Sequence, residues 1–189
     1  IAKELGLLVY NKPDSQEICF VKDNDYVNYV KKHTTKTIKQ GNFVDKNGKV
    51  LGKHQGIINY TIGQRKGLGI TFGKPMFVVE INAKNNTVVL GDNEDLFTKE
   101  VIAKDVNLIT IDKVDKPMRV QAKIRYSAKP SDATLYGIEE KNSISNDGNI
   151  NTNYKIKLVF DEPQRAITPG QSVVIYDGDV VVGGGIITK

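Results

Sequence analysis

Hydrophobic and polar residues alternate with a period of two along much of the second half of the chain. In MRVQAKIRY (118–126), Val120 and every second residue after it, up to Tyr126, share one face. KIKLVF (155–160) repeats the pattern. Because successive side chains of a β-strand point to opposite faces, both segments are predicted to be strands that bury one face only.

Turn-forming residues separate these strands. The dipeptide DG at 177–178 marks the centre of a predicted hairpin, and PG at 169–170 predicts a type II turn just before it. The run GGG at 183–185 would let the last strand bend or lie close against another backbone. Short alternating strands at this spacing favour a small antiparallel barrel. The polar stretch EEKNSISNDGNINTN (139–153) is predicted to be a mobile hairpin extension between two of them.

The middle of the chain predicts a smaller β-rich unit that ends near Gly91. The dipeptide NG at 47–48 lies between NFVDK and KVLGKH, where it would supply both positive-φ positions of a type I′ hairpin turn. MFVVEIN (76–82) and TVVLG (87–91) are predicted to be two further strands.

The first 30 residues predict the last pieces of a larger α/β domain. AKELG (2–6) has the pattern of a helix end with Gly6 as C-cap, and LLVY (7–10) that of a strand. Asp25 is the predicted N-cap of a short second helix. A helix end, one strand and a loop have too few residues for a core of their own.

Composition narrows the class of protein. The chain has 189 residues, of which 39% are hydrophobic and 26% charged, as in soluble globular proteins, and no run approaches the ~18 apolar residues of a membrane span. The start IAKELGLLVYN lacks signal-peptide features and an initiator methionine, so a trimmed, cytoplasmic protein is expected. With one cysteine, Cys19, and two distant histidines, His33 and His54, neither a disulfide nor a metal site is predicted.

Positive charge is concentrated in one segment. Residues 31–74 carry a formal charge of +9, whereas the rest of the chain sums to −4. A local basic field of this kind attracts polyanions through phosphate neutralisation, although a lysine-rich solvated surface gives the same count.

One stretch within this segment, HQGIINYTIGQRKGLGI (54–70), is suited to phosphate contacts. Glycines bracket Gln64, Arg65 and Lys66, so the backbone there can approach a ligand closely, and Tyr60 is available to stack on a base. A glycine-rich turn with solvated charges fits the spacing equally well. The fingerprints of P-loops and of dinucleotide-binding folds are both absent.

The sequence around Cys19 leaves its role open. It lies between Ile18 and Phe20, and a lone cysteine beside apolar neighbours is more often a buried, inert thiol than a nucleophile. A reactive thiol needs a lowered pKa, which the adjacent acids Asp14 and Glu17 oppose.

Four consecutive motifs resemble one family, the bacterial-type tRNA-specific 2-thiouridylases, formerly labelled tRNA (5-methylaminomethyl-2-thiouridylate)-methyltransferases. They are PDSQEICF (13–20), GKVLGKHQGIINYTIGQRKGLGI (48–70), FVVEINAKNNTVVLG (77–91) and FDEPQRAITPGQSVVIYDGDVVVGGGII (160–187). The resemblance implies a mainly β chain made of three parts. These are the tail of an α/β ATP-pyrophosphatase-type domain with the cysteine loop (1–30), a small central β domain (31–92) and a C-terminal antiparallel β-barrel (93–189).

The resemblance also implies a reaction, thiolation of C2 of the wobble uridine. Family members use ATP and Mg²⁺ to adenylate the uridine oxygen and then deliver sulfur from a cysteine persulfide. Cys19 matches the persulfide-bearing cysteine. The nucleotide loop and the other catalytic cysteine belong to the α/β domain, so this chain alone is expected to bind neither ATP nor Mg²⁺ and to be inactive. No methyl transfer is predicted, because no nucleoside-methionine pocket motif is present.

The implied partners are tRNAs of the Glu, Gln and Lys type and a sulfur donor, either a cysteine desulfurase or a sulfur-relay protein. Three groups of residues are expected to contact tRNA: the family loop Gln64, Arg65 and Lys66, the weaker candidates His54 and Tyr60, and the outward strand face of Arg119, Lys123 and Arg125. For that strand face a solvated edge is an equal alternative. The competing hypothesis is a self-standing RNA-binding β module with a structural cysteine.

Overall fold

A computed structural model describes residues 1–8, 10–11, 20–21, 25–35, 37–140 and 153–188. The chain divides into two compact units, Ile1–Lys39 and Gln40–Lys189. The predicted boundaries near residues 30 and 92 stay predictions. In the described part of the chain, no helix has the length and apolar character needed to cross a membrane.

In the described residues of the first unit there is one α-helix, α1 (Tyr26–His33). The side chain of Asp25 accepts a hydrogen bond from the backbone N–H of Asn28 at 3.0 Å, which confirms the predicted N-cap. The helix buries none of its side chains.

The beginning of this unit is a single helical turn. Gly6 has φ of 63°, and the backbone N–H of Leu7 donates to the carbonyl of Ala2 at 3.0 Å, so Gly6 ends the turn as the predicted C-cap. The predicted strand at 7–10 is wrong. Its described residues form a turn, in which the N–H of Tyr10 donates to the carbonyl of Leu7.

The second unit begins with a four-stranded sheet in the order β2-β1-β4-β3, in which only the β1/β4 pair is parallel. Its strands are β1 (Gly41–Val44), β2 (Val50–His54), β3 (Phe77–Asn82) and β4 (Thr87–Gly91). Phe43, Val78 and Leu90 lie in its core.

The hairpin predicted between β1 and β2 is present, but its turn is not type I′. Only Gly48 has positive φ (84°), whereas Asn47 donates its backbone N–H to the Asp45 carboxylate at 2.9 Å. The same carboxylate accepts from the N–H of Lys49. The Asp45 side chain therefore organises a longer turn than the two-residue loop predicted.

The rest of the second unit is a closed antiparallel barrel in the order β10-β5-β8-β7-β6-β9, which confirms the predicted fold class. The strands are β5 (Phe97–Leu108), β6 (Met118–Lys123), β7 (Ser131–Glu140), β8 (Asn153–Arg165), β9 (Ser172–Asp177) and β10 (Val180–Ile187). Leu158 and Phe160 fill its interior, as the alternation predicts.

The alternation fails at Tyr126. The strand β6 ends at Lys123, and Tyr126 lies in the following turn with 91% of its surface exposed instead of facing inward. The predicted hairpin extension at 139–153 falls mostly outside the described residues, although Glu140 pairs with Asn153 at its base.

Glycines and turns close the barrel at or within one residue of the predicted positions. A Cβ atom on Gly183 would lie 2.4 Å from the carbonyl oxygen of Asn107, so only glycine allows this close approach of β10 to β5. Gly170 has φ of 88° in a type II turn closed by the N–H of Gln171 and the carbonyl of Thr168. The last hairpin turns one residue later than predicted, because Val180 pairs with Asp177.

Candidate nucleic-acid interface

The segment 61–70, called the GQRK loop below, is held by its own glutamine. The side-chain oxygen of Gln64 accepts from the backbone N–H of Thr61 at 3.0 Å, and its side-chain nitrogen donates to the carbonyl of Lys66 at 3.0 Å. Gln64 therefore spans the loop from one side to the other. Both of these hydrogen bonds of Gln64 stabilise the loop itself.

Backbone hydrogen bonds attach the GQRK loop to the edge strand β3. The N–H of Gly63 donates to the carbonyl of Val78 at 2.8 Å, and the N–H of Val78 donates to the carbonyl of Gln64 at 2.9 Å. Gly63 needs its positive φ of 87° to make this turn. The attachment leaves the side chains of Arg65 and Lys66 exposed at the outer end of the loop.

His54 and Tyr60 lie beneath the loop, in the core of the sheet. Their side chains are 1% and 8% exposed, and the His54 ring packs against the rings of Tyr60 and Phe43 at centroid distances of 5.6 and 5.5 Å. Burial at this level leaves almost no side-chain surface for RNA. The expectation that these two residues contact RNA does not agree with their position, which is that of core residues.

The hydrogen bonds of His54 define its protonation. Its Nδ1 accepts the backbone N–H of Gly56 at 3.0 Å, so the proton of the neutral ring lies on Nε2, which faces the carbonyl of Asn86 at 3.2 Å. Burial lowers the pKa of His54 below its ordinary value of 6.5. His54 therefore links β2 to the β3–β4 turn as an uncharged residue.

Ion pairs neutralise part of the basic segment. Lys46 contacts Asp95 at 2.6 Å and Lys74 contacts Asp92 at 2.6 Å. The hydrogen bond from Lys46 lowers the pKa of Asp95 below its ordinary value and raises the pKa of Lys46 itself. These two lysines are paired with the short 3₁₀ helix Asn93–Leu96 and its N-cap Asp92, and they contribute little net positive field.

Other cations of the sheet keep their charge uncompensated. Within the described residues, five exposed basic side chains of the sheet and its loops have no acidic side chain within ion-pairing distance: Lys49, Lys53, Arg65, Lys66 and Lys84. The tip of the GQRK loop thus carries two adjacent unpaired cations.

The corner Arg165–Ala166, at the end of β8, joins the GQRK loop to the barrel. A Cβ atom on Gly63 would lie 2.9 Å from the Cβ of Ala166, so the loop packs directly on the corner. Ala166 itself has positive φ (54°) and donates its N–H to the carbonyl of Leu96. The Arg165 guanidinium lies 5.7 Å from the Phe77 ring centroid, over the first residue of β3.

The same corner receives one of the predicted barrel cations. Arg125 donates from one guanidinium nitrogen to the carbonyls of both Arg165 and Ala166. Lys123 lies two residues earlier, with its Nζ 5.9 Å from the Tyr126 ring centroid. The GQRK loop and the end of β6 are therefore both connected to the corner, and they form one candidate interface.

Arg119 does not share this environment. Its guanidinium donates to both carboxylate oxygens of Asp161, at 2.9 and 2.7 Å, and lowers the pKa of that carboxyl below 3.8. It also donates to the hydroxyl of Thr134. The three barrel cations predicted as one set are thus divided: Lys123 and Arg125 lie near the corner, and Arg119 is in an ion pair at the other end of the strand.

Cys19, the predicted persulfide cysteine, lies outside the described residues, and the structure carries no geometry for it. Sequence reasoning missed two residues of the candidate interface, Arg165 and Tyr126. Arg165 lies in the motif FDEPQRAITPGQ. A basic residue shortly before the predicted TPGQ turn is the signal that could have indicated it. No sequence signal marked Tyr126, because the alternating pattern of β6 extends to residue 126, three residues beyond the end of the strand at Lys123.

Two family models match the chain. The model described as tRNA methyl transferase PRC-barrel domain covers residues 27–92, and the one described as aminomethyltransferase beta-barrel domain covers residues 98–187. The first includes the sheet with the GQRK loop, and the second includes the barrel with the Arg165–Ala166 corner.

Curated relatives match over the whole chain. The tRNA-specific 2-thiouridylase MnmA of Clostridioides difficile (strain 630) is 69% identical over 189 residues, which are 100% of this chain and 49% of the relative. That of Acetivibrio thermocellus is 62% identical over 186 residues (98% and 48%), and MnmA 2 of Clostridium botulinum (strain Hall) is 58% identical over 189 residues (100% and 50%). The chain spans about half the length of the curated relatives that it matches.

Proposed function

Since this chain belongs to the tRNA-specific 2-thiouridylase family, we propose that it is the tRNA-binding and sulfur-carrying part of an enzyme that thiolates C2 of the wobble uridine. The observation that supports tRNA binding most directly is the GQRK loop. Its backbone is held by hydrogen bonds to the Gln64 side chain and to β3, and it presents Arg65 and Lys66 as adjacent exposed cations. Uncompensated cations on such a loop are suited to RNA phosphates.

The proposed tRNA surface continues from the loop to the barrel. Arg125 and Lys123 extend it through the Arg165–Ala166 corner. The corner contacts both the GQRK loop of the sheet and Arg125 of the barrel, so it joins the cations of the two parts. Gln64, His54 and Tyr60 support this surface from behind, and Arg119 contributes little because Asp161 already neutralises it. The proposed partners are tRNAs of the Glu, Gln and Lys type.

Cys19 is the proposed sulfur carrier. Its thiolate would take the terminal sulfur of a persulfide on a cysteine desulfurase or a sulfur-relay protein, which releases the donor's thiol. The terminal sulfur of the resulting Cys19 persulfide would attack C2 of the activated uridine and displace AMP. The thiol of the other catalytic cysteine would then break the S–S bond, which leaves a disulfide between the two cysteines. ATP with Mg²⁺ supplies that activation by making the uridine oxygen a leaving group. A cytoplasmic location fits this role and belongs to the same proposal.

Among the described residues, no group of three or more His, Cys, Asp or Glu side chains could hold a metal ion, and the sequence contains no P-loop fingerprint. We assign ATP binding and the other catalytic cysteine to the remainder of the full-length protein, and we expect this chain alone to be inactive.

A sulfur-transfer assay tests the assignment of Cys19. The chain is incubated with a cysteine desulfurase and cysteine carrying radiolabelled sulfur, and protein-bound label that a thiol reductant releases is measured. Because Cys19 is the only cysteine, wild type should carry the label and Cys19→Ser should not.

The control is that Cys19→Ser has the wild-type far-UV circular dichroism spectrum and thermal midpoint. Equal labelling of the two proteins, or no labelling of either, would contradict the sulfur-carrying role. tRNA binding that persists in that case would favour the competing hypothesis, an RNA-binding β module with a structural cysteine.

A further inference from the structure

A depression of about 510 Å³ lies on the outer face of the barrel, where the end of β6 adjoins the start of β9. The type II turn at its edge is bound to β10, because Gly170 donates its N–H to the carbonyl of Ile187 and the N–H of Ile187 donates to the carbonyl of Gln171, both at 2.8 Å. The volume of the depression is within the ~300–1,000 Å³ of small-molecule sites, so it is large enough for one nucleotide.

Tyr126 stands at the rim of this depression with its ring open to solvent. It is at the corner of a turn closed by the N–H of Ala128 and the carbonyl of Arg125 at 3.1 Å, which points the ring away from the barrel. With 91% of its surface exposed, the side chain buries too little area to stabilise the fold appreciably. Its apolar faces are therefore available to a ligand.

The lining of the depression combines cations with an aromatic ring and neutral hydrogen-bonding groups. Its polar and aromatic residues are Lys123, Arg125, Tyr126, Gln171, Ser172 and Tyr176, and its lining includes no acid. A second depression of about 310 Å³ along the same strands differs, because Asp132 and Asp177 line it together with Arg119. The β6–β9 surface thus has two separate ends. The lining of the first depression is cationic, and in the second depression acidic side chains compensate the positive charge of Arg119.

This combination matches the chemistry of an unpaired nucleotide. A phosphate needs cations, a base needs a flat apolar face, and its edge needs hydrogen-bonding side chains such as the amide of Gln171. Duplex RNA offers only its phosphates and sugar edges here, because its bases are stacked on one another, so it would leave Tyr126 unused.

We propose that this depression binds one unpaired nucleotide of the RNA, with the base stacked on Tyr126 and a neighbouring phosphate at Lys123. The proposal rests on the RNA-binding function proposed above, and it adds a second contact of a different kind. The GQRK loop binds phosphates of any RNA, whereas this subsite selects an RNA that presents an extruded or single-stranded base.

The test uses the 189-residue chain and two RNA probes with equal numbers of phosphates, a single-stranded oligouridylate and a blunt duplex. Tyr126→Ala should bind the single strand about tenfold more weakly, the effect of losing one stacked base, and should bind the duplex as wild type does. Tyr126→Phe and Tyr126→Trp should restore binding of the single strand. Tyr136→Ala, which removes an exposed tyrosine on β7, is the matched control.

Tyr126→Trp also provides a direct signal, because the chain has no tryptophan. Its emission should be quenched by the single-stranded probe, whereas the emission of Tyr136→Trp should not change. Wild-type binding by Tyr126→Ala, or equal losses for both probes, would overturn the subsite. If Arg65→Gln/Lys66→Gln still weakens both probes, the RNA-binding function stands without the subsite; if that variant also binds normally, both proposals fail.

Discussion

Arg119 and Lys123 lie on β6 and Arg125 lies just after it, and each of the three cations has a different set of partners. Arg119 is neutralised by the bidentate ion pair with Asp161, and Arg125 is oriented by two backbone carbonyls. Lys123 lies 5.9 Å from the ring centroid of Tyr126 and forms no ion pair among the described residues. An exposed ion pair must be broken before its cation can bind a phosphate, whereas Lys123 has no such requirement.

Substitution of these cations should therefore have unequal effects on RNA binding. Lys123→Gln should reduce the log-log salt slope of tRNA binding by about one, as expected for one lost phosphate contact, and Arg119→Gln should leave affinity within about twofold. Binding titrations at several salt concentrations measure both. A larger loss for Arg119→Gln than for Lys123→Gln would show that Asp161 releases its partner to RNA.

His54 makes the stability of the sheet depend on pH. Its pKa is lowered in the folded protein, so the folded state binds the proton less readily than the unfolded chain does. The free energy of unfolding should be constant above the ordinary pKa of 6.5 and should fall as the pH drops below it, because protonation of Nδ1 removes the acceptor of the Gly56 N–H.

Urea unfolding between pH 8 and about pH 5 measures this dependence. His54→Gln should lose the pH dependence in this range, whatever its own stability. His33→Gln is the control, since His33 is exposed on α1 and should leave the dependence intact. A wild-type slope in His54→Gln would assign the titration to another group.

At the scale of elements, the contact between the GQRK loop and the barrel depends on one glycine. Gly63 has positive φ and packs against Ala166 with no room for a Cβ atom. Gly73 has a similar φ of 72°, but a Cβ atom there would meet nothing within 4 Å. The two glycines therefore separate the cost of backbone strain from the cost of lost packing.

Gly73→Ala should reduce the free energy of unfolding by about 1–2 kcal/mol through left-handed strain alone. Gly63→Ala should lose a further ~1–3 kcal/mol, because the methyl group displaces the corner, and it should also weaken tRNA binding. Chemical denaturation and binding titrations measure these losses. Equal losses in the two variants would mean that the loop yields easily and that the corner does not position it.

Local signals predicted most elements of the barrel and sheet. Gly170 and Gly48 mark their turns because positive φ is a property of single residues, and the alternation through Phe160 marks a strand because burial has period two. The type of the Asn47-Gly48 turn was missed, because it depends on the Asp45 side chain.

The arrangement of the interface could not be predicted from such local signals. The Arg165–Ala166 corner is 102 residues beyond Gly63, and only barrel closure brings it against the loop. The burial of His54 likewise depends on Phe43 and Asn86, which reach it through sheet pairing. The positions of the corner and of His54 both depend on pairing between strands that are far apart in the sequence. No local sequence pattern predicts such pairing.

At the scale of the whole molecule, charge and fold favour one function. The +9 segment (31–74) includes β1, β2 and the GQRK loop. Two of its lysines are used in ion pairs, and the cations left uncompensated include the loop tip. The membership of the chain in the tRNA-specific 2-thiouridylase family fits this distribution. We propose on these grounds that the GQRK loop binds tRNA phosphates.

The most direct test is the salt dependence of tRNA binding by the 189-residue chain. Arg65→Gln/Lys66→Gln should bind more weakly, with a log-log salt slope shallower by roughly one to two, as two phosphate contacts are lost. The control Lys84→Gln/Lys116→Gln removes the same charge from exposed positions outside the loop and should keep the wild-type slope. An unchanged slope in the loop variant, or an equal change in the control, would contradict the account.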